Sequence, residues 1–120
     1  MPLTPLPSHE AFERMLAPRR PIEDGFLDKY DPWVCVAFTA SWCGPCKNLD
    51  KEAIADASPA ITWYVCDVDE NQTTLGYCGL KSIPSFCLLK NGVYKAAKAG
   101  ASSPQEVLSW LSDQGVPLGK

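Results

Sequence analysis

The sequence predicts an α/β fold in which a mixed central sheet carries helices on both faces. Two nearly unbroken apolar runs, 33–40 and 61–68, are typical of strands buried on both faces. Between them, residues 45–57 have the 3.6-residue hydrophobic period of an amphipathic helix. Asn91-Gly92 separates two further apolar runs and predicts a hairpin. Strands connected through helices run parallel and a hairpin runs antiparallel, so the sheet is predicted to be mixed.

The N-terminal segment predicts a short strand followed by a helix. Residues 2–7 contain three prolines and are expected to form a short edge strand. Ser8 is a favoured N-cap, and helical spacing of the apolar residues after it predicts a helix that Pro18 ends. Residues 19–32 predict either a loop or a short helix around 25–29.

The other helices are predicted from their ends. Ser58-Pro59 stops the helix over 45–57, because proline disfavours helical backbone in the residue before it. A short helix is expected within 72–78, where Gly79 can end it. Ser103 and Glu106 form a capping box with proline at the first helical position. The buried face of this last helix is predicted to comprise Val107, Leu108, Trp110 and Leu111.

Composition excludes several classes of function. The chain has 120 residues, a length that fits one domain, and its net charge of −3 includes no basic run for direct nucleic-acid binding. No stretch approaches the ~18 apolar residues of a membrane span. Met1 to Pro7 lacks the apolar core of a signal peptide. We therefore expect a cytoplasmic protein without membrane association.

The six cysteines divide into two groups by their surroundings. Cys35, Cys66 and Cys87 each lie inside an apolar, strand-like run, which predicts buried free thiols. Cys43 and Cys46 lie two residues apart between a predicted strand and a predicted helix. A thiol at a helix N-terminus is favoured as thiolate, the form that attacks disulfides. This pair is predicted to be a redox-active dithiol.

A structural zinc site is the alternative for the same pair. Zinc would need two more ligands, but the chain has no second C-x-x-C and only one histidine, His9. We predict no metal and a solvated His9 in the first turn of its helix. Cys78 is interpreted as a plain helix cysteine, the alternative being a redox-regulatory thiol. Asp67 and Asp69 are interpreted as solvated strand-end acids, the alternative being proton carriers.

The region 33–114 resembles the thioredoxin family. The motif residues 42–47, Trp-Cys-Gly-Pro-Cys-Lys, are the most specific match. Further matches are Ile83-Pro84, Lys90-Asn91-Gly92, Gly100-Ala101 and the acidic stretch Asp67-Val68-Asp69. The resemblance implies the thioredoxin fold, with four to five strands, as a single domain over 1–120. Its core would be 33–114, and 1–32 would hold the N-terminal strand, the helix and a longer connection.

The resemblance also implies a mechanism. Cys43 would be the exposed nucleophile that attacks a substrate disulfide, and Cys46 would resolve the mixed disulfide, so the two would cycle through a Cys43–Cys46 disulfide. Ile83-Pro84 would be a cis peptide facing the dithiol. The substrate groove would comprise Trp42, Gly44, Pro45, Ile83, Pro84 and Gly100.

A member of this family would act as a protein disulfide reductase that donates electrons to disulfide-containing target proteins. It would need no bound cofactor, because NADPH supplies electrons through a flavin-dependent thioredoxin reductase, and it would be a monomer. Two alternatives stay open. One is an oxidase or isomerase with a different redox poise, and the other is a binding subunit, as on a phage DNA polymerase, whose redox activity is dispensable.

Three departures from the family pattern carry expectations. The family's buried Asp, six residues before the nucleophile, is Ala37 here, and its lysine neighbour is Val65. We therefore expect activity with an altered pH dependence. The helix after Cys46 lacks the family's kink-forming proline. Residues 17–32 form a longer connection that either alters partner choice or decorates the surface.

Overall fold

The computed structural model describes residues 3–17 and 31–119. Within these ranges one sheet has the strand order β1-β3-β2-β4-β5. β1, β3 and β2 run parallel, whereas β4 is antiparallel to both β2 and β5, so the predicted mixed sheet is confirmed. Pro18, most of the 17–32 connection and the possible helix at 25–29 lie outside the described residues. The strands are β1 (Thr4–Pro5), β2 (Trp33–Thr39), β3 (Thr62–Asp67), β4 (Ser85–Lys90) and β5 (Val93–Ala99).

The helices lie on both faces of the sheet, as predicted. One apolar layer contains Phe12 of α1 and Leu75 of α4, and the other contains Ile54 of α3 and Leu111 of α5. Cys35, Cys66 and Cys87 are fully buried, which confirms them as core residues. The helices are α1 (His9–Glu13), α2 (Gly44–Asn48), α3 (Lys51–Asp56), α4 (Gln72–Tyr77) and α5 (Pro104–Asp113).

The single helix predicted over 45–57 is wrong, because the chain breaks it into α2 and α3. Leu49 has extended backbone angles, φ −87° and ψ 118°. Asp50 then caps α3, its carboxylate accepting the N–H of Ala53 at 3.0 Å. Aspartate competes with helical backbone bonds in this way, so it favours a new N-terminus over continuation. Leu49 and Ile54 are both buried across the break, so the apolar period does not reveal it.

The N-terminal segment follows the prediction at its start and departs from it at its end. β1 is the predicted edge strand, paired with β3 alone, and Ser8 caps α1 by accepting the N–H of Ala11 at 3.2 Å. The α-helix ends at Glu13, however, before Pro18. Tighter turns follow, in which each N–H bonds a carbonyl three residues earlier, and then the N–H of Ala17 bonds the Gly92 carbonyl. That bond holds the chain against the β4–β5 hairpin, so the helix cannot continue.

His9 is not the solvated residue that the sequence predicts. Its Nδ1 lies 2.8 Å from the Thr74 hydroxyl, and 21% of its side chain is exposed. Its ring stacks on Phe12, with centroids 5.7 Å apart, and lies 5.5 Å from the ring of Tyr77. The reason is tertiary, since α1 packs against α4 and covers this side of its own first turn.

The hairpin and the last helix match their sequence signals. Asn91 and Gly92 have positive φ angles of 52° and 80°, as the tight turn between β4 and β5 requires. Ser103 accepts the N–H of Glu106 at 3.3 Å, which is one half of the predicted capping box. The other half is displaced by one residue, because the Glu106 carboxylate accepts the N–H of Ser102 at 2.8 Å. Val107 and Leu111 are buried, and Leu108 and Trp110 are partly buried.

Candidate active site

The ends of four strands bring the candidate site together at one edge of the sheet. Thr39, the last residue of β2, pairs with Asp67, the last residue of β3. Phe38 pairs with Ser85, the first residue of β4, and Ser85 pairs with Ala99 at the end of β5. The segments 40–43, 68–71, 79–84 and 100–102 therefore meet at this edge. Carboxyl ends of strands are where ligand sites of α/β sheets usually form.

Cys43 and Cys46 are joined in a disulfide, with Cα atoms 5.3 Å apart. Cys43 is the N-cap of α2, as the sequence predicts, and its Sγ accepts the backbone N–H of Cys46 at 3.1 Å. A backbone donor at a helix N-terminus stabilises negative charge on the acceptor. When the pair is reduced, this arrangement favours the thiolate form of Cys43.

The two cysteines differ in their accessibility. Cys46 is fully buried, whereas Cys43 retains 5% of its surface. That exposure is smaller than predicted, because the Cys43 sulfur is bonded to Cys46 and lies against the first turn of α2. Gly44 and Pro45 are exposed beside it. A partner can therefore reach Cys43 from the side on which these residues lie.

Trp42 is the most prominent residue at this edge, with 66% of its surface exposed. Its indole Nε1 donates to both carboxylate oxygens of Asp69, at 3.2 and 3.0 Å. The N–H of Asp69 in turn bonds the Asp67 carboxylate at 2.9 Å. Asp69 is exposed, as the interpretation of a solvated strand-end acid expects, and it also orients Trp42, which that interpretation did not include. The signal for it was present in the acidic stretch that resembles the family's.

The loop before β4 completes the site. The Ile83-Pro84 peptide is cis, as predicted, and the Pro84 carbonyl accepts the N–H of Gly100 at 2.8 Å. Gly100 has φ +81°, which L side chains rarely adopt. Ile83 packs on the same apolar layer as Cys43 and Cys46. The residues predicted for the groove therefore gather at one end of the molecule.

Ala37 and Val65 are neighbours, as the sequence comparison with the family predicts. They are register partners on β2 and β3. Ala37 is 1% exposed and belongs to the apolar layer of Leu49 and Phe86, whereas Cys46 belongs to the opposite layer. This position is therefore apolar, and neither residue can carry a proton.

Lys51 occupies an unexpected position near the dithiol. It is the first residue of α3, and its Nζ donates to the Cys46 carbonyl at 2.8 Å. It thereby caps the last turn of α2 from the first residue of α3. Burial lowers the pKa of Lys51, and the neighbouring Asp50 carboxylate opposes that shift.

Two further findings bear on the kind of site. Across residues 3–17 and 31–119, no three His, Cys, Asp or Glu side chains are grouped so that they could hold a metal ion. None of the helices in the described part of the chain is long and apolar enough to cross a membrane.

Comparison with known proteins agrees with this geometry. The family model described as Thioredoxin matches residues 24–113. A thioredoxin of Pseudomonas aeruginosa is 35% identical over 86 residues, which cover 69% of this chain and 80% of the relative. A thioredoxin of Rickettsia conorii is 35% identical over 82 residues, which cover 66% and 78% of the two chains.

Solved structures give the same result. Thioredoxin from Trypanosoma brucei brucei superposes with a TM-score of 0.73 at 25% identity, covering 93% of this chain and 89% of that one. Malassezia sympodialis thioredoxin gives a TM-score of 0.71 at 25% identity, covering 95% and 94%. With a C-x-x-C pair joined in a disulfide at the expected edge of the sheet, the chain belongs to the thioredoxin family of thiol–disulfide oxidoreductases.

Proposed function

We propose that Cys43 is the nucleophile and Cys46 the resolving thiol of a protein disulfide reductase. The Cys43 thiolate attacks one sulfur of a substrate disulfide, forming a mixed disulfide and releasing the other substrate sulfur as a thiolate. Cys46 then loses its proton and attacks the Cys43 sulfur, which gives the Cys43–Cys46 disulfide and the reduced substrate. The observation that carries this assignment is the position of Cys43, which caps α2 and keeps the larger accessible surface.

The substrate would lie across the edge residues around the disulfide. Trp42, Gly44 and Pro45 are exposed next to Cys43 in the chain, and Ile83 and Gly100 are partly exposed on loops that meet at the same edge of the sheet. Partly exposed loop residues and one large exposed aromatic ring suit an extended segment of varied sequence, because they can contact its main chain and its apolar surface. This supports disulfide-containing proteins as the substrate class.

The electrons would come from outside the protein. We propose that NADPH supplies them through a flavin-dependent thioredoxin reductase, and that this chain needs no bound cofactor since the thiols themselves carry the electrons. The protein would act as a monomer in the cytoplasm, where it would serve electron transport and redox homeostasis. The four free thiols favour a reducing compartment.

Insulin reduction tests the assignment. Wild-type protein is expected to accelerate the reduction of insulin by dithiothreitol, and to support turnover with thioredoxin reductase and NADPH. Cys43→Ser should abolish both activities, and Cys66→Ser, which leaves the dithiol intact, should retain them. No turnover of wild type with either electron source would contradict the proposal and would favour a binding subunit.

A further inference from the structure

The backbone of Cys46 binds a cation that no motif in the sequence indicates. The Nζ of Lys51 donates to the Cys46 carbonyl at 2.8 Å, and the same oxygen accepts the N–H of Leu49 at 3.3 Å. Within residues 3–17 and 31–119, Lys51 is the one cationic side chain that is hydrogen-bonded to a cysteine of the dithiol. A positive charge is therefore fixed beside the thiol to which we assign the resolving step.

The break between α2 and α3 creates the place for this charge. In an unbroken helix the Cys46 carbonyl would accept the N–H of the residue four positions later, which is Asp50. Here Leu49 has extended backbone and Asp50 caps the next helix, so that helical bond is not made. A carbonyl at a helix C-terminus lacks its intrahelical partner and is commonly satisfied by a side chain. Lys51 fills that role for Cys46.

The charge lies close to the Cys46 sulfur as well as to the carbonyl. Four covalent bonds connect the carbonyl oxygen to Sγ, which keeps these two atoms within about 5 Å of each other in any rotamer. The Lys51 Nζ is therefore within about 8 Å of Sγ. Lys51 is partly buried, whereas Lys47, next to Cys46 in the chain, is exposed. Because water screens exposed charges more strongly, Lys51 should act on Cys46 more strongly than Lys47.

Other ionisable groups lie on the same elements and on those packed around them. Burial lowers the pKa of Lys51, and the Asp50 carboxylate beside it opposes that shift. The other free thiols in the layer of Cys46 are buried. The charged groups are Lys47 of α2, Glu52 and Asp56 of α3, Asp67 and Asp69 at the end of β3, Lys81 before β4 and Asp113 of α5. All are unchanged in variants of Lys51, so a difference among those variants reports the charge at position 51.

We propose that Lys51 is a positioning residue for the resolving step, whose ammonium group favours the thiolate form of Cys46. In that step Cys46 gives its proton to water, and its thiolate attacks the Cys43 sulfur. The bond between Cys43 and the substrate breaks, and the substrate thiolate that leaves takes up a proton. Lys51 keeps its own proton throughout. The inference rests on the proposed role of Cys46, and it assigns to a cation the support that Ala37 cannot provide.

Loss of this charge should have a characteristic dependence on pH. A cation at this distance should lower the inflection of the resolving rate by about one pH unit. Below the inflection, Lys51→Met would have about tenfold less Cys46 thiolate, but that thiolate would be about threefold more nucleophilic. The net result is a resolving step about threefold slower. The deficit should shrink as pH rises through the inflection, whereas a loss of structure would slow the step equally at every pH.

Rapid mixing with a chromogenic aryl disulfide separates the reactions of the two thiols. Reduced protein, freed of dithiothreitol, is mixed with less than one equivalent of dithiobis(nitrobenzoate). In the first phase, whose rate depends on concentration, Cys43 releases one thionitrobenzoate and retains the other in a mixed disulfide. In the second phase, whose rate does not depend on concentration, Cys46 displaces the retained group. Cys46→Ser should lose the second phase alone.

Second-phase rates between pH 6 and pH 9 test the role of Lys51. Lys51→Met should be about threefold slower than wild type at pH 7, with its inflection about one pH unit higher. Lys51→Arg keeps the charge and should follow wild type. Lys47→Met is the matched control, because it removes an equal charge next to Cys46, and it should displace the inflection far less.

The outcomes distinguish this inference from the reductase assignment. An unchanged inflection in Lys51→Met, an equal slowing at every pH or an equal displacement in Lys47→Met would overturn the role of Lys51 and leave the reductase assignment intact. Absence of the first phase in wild type, or a second phase that persists in Cys46→Ser, would contradict the assignment of the two thiols and the inference with it.

Discussion

The Trp42 indole is held by the Asp69 carboxylate, which accepts its Nε1–H through both oxygens at 3.2 and 3.0 Å. This contact joins the segment after β2 to the segment after β3, directly beside the disulfide. It fixes the orientation of a ring that is 66% exposed and would otherwise sample several rotamers. The ring is thereby ordered before a partner arrives.

Removing this contact should reduce activity more than stability. A hydrogen bond contributes about 0.5–1.5 kcal/mol, so Asp69→Leu should lower kcat/KM for insulin about three- to tenfold. Asp69→Asn keeps one acceptor and should lose less. Steady-state kinetics measures the loss of activity, and urea unfolding of the same proteins measures the loss of stability. Equal kcat/KM for wild type and both variants would show that the ring needs no such support.

A single carboxylate introduced at the apolar Ala37–Val65 pair should destabilise the folded protein. Ala37 is 1% exposed, so Ala37→Asp would bury an unpaired charge at a cost of about 3–5 kcal/mol. Adding Val65→Lys places a partner on the paired strand and should recover part of that loss. Urea unfolding of the single and the double variant measures the loss of stability and its recovery. If Ala37→Asp alone were as stable as wild type, the packing described above would be contradicted.

The same pair governs the expected pH dependence of reduction. Wild type has no titrating group at these positions. A plot of its reduction rate against pH should therefore lack the inflection that a buried carboxyl contributes. The Ala37→Asp/Val65→Lys variant should gain one. Rates of insulin reduction across neutral pH provide the test, and a wild-type profile matching that of an Asp-bearing thioredoxin would count against this reading.

Alkaline conditions should destabilise the fold through Cys66. Burial, together with nearby acidic groups and the Cys78 thiol, raises the pKa of Cys66 from 9.0 to about 11. The folded state therefore holds this proton more tightly than the unfolded chain. The stabilisation is complete below pH 9 and is lost as pH rises from about 9 to about 11, by up to ~1.4 kcal/mol per pH unit.

Urea unfolding at pH 8, 9 and 10 checks this slope. Cys66→Ala removes the titrating thiol and should show a shallower decrease than wild type over the same interval. The comparison cancels other groups, such as Lys51, whose lowered pKa acts in the opposite direction because the unfolded chain holds its proton more tightly. Parallel slopes for the two proteins would contradict the assignment to Cys66.

The break between α2 and α3 should accept proline at one position. Lys51 is the first residue of α3, where proline is favoured, and Asp50 before it already has φ −77° and ψ 88°. Lys51→Pro should therefore change the free energy of unfolding by less than ~1 kcal/mol, even though it loses the bond to the Cys46 carbonyl.

Ala53→Pro is the matched control for that substitution. Ala53 is exposed, but its N–H bonds the Asp50 carboxylate, so proline there should cost about 1–2 kcal/mol through the lost cap. Thermal or urea unfolding ranks the two variants. If Lys51→Pro were the more destabilising, the helix would not begin where Asp50 caps it.

Local signals in the sequence predict most of the fold. Asn91-Gly92, Ser103 and the apolar runs of β2 and β3 each specify an element through nearest neighbours, and each element is present. Even the cis Ile83-Pro84 followed from the resemblance. The sequence could not predict the contacts that side chains make with other parts of the fold. Lys51 turns back to the Cys46 carbonyl, and a periodicity that continues through Leu49 hides the helix break.

The same limit applies to the site. The two reactive sulfurs and the groove residues follow from one short motif and one proline. Asp69 and His9, by contrast, take their partners from elements distant in sequence, Trp42 and Thr74. The interpretation of His9 as solvated was wrong because its packing is tertiary, whereas Asp69 is solvated as interpreted and its additional contact with Trp42 was not predicted.

The central claim is that Cys43 attacks and Cys46 resolves, and trapping the intermediate tests it most directly. Cys46→Ser should accumulate a mixed disulfide between Cys43 and a substrate protein, visible as a band on a non-reducing gel that dithiothreitol removes. Cys43→Ser should accumulate none. A stable mixed disulfide through Cys46 in the Cys43→Ser variant, with none in Cys46→Ser, would contradict the account.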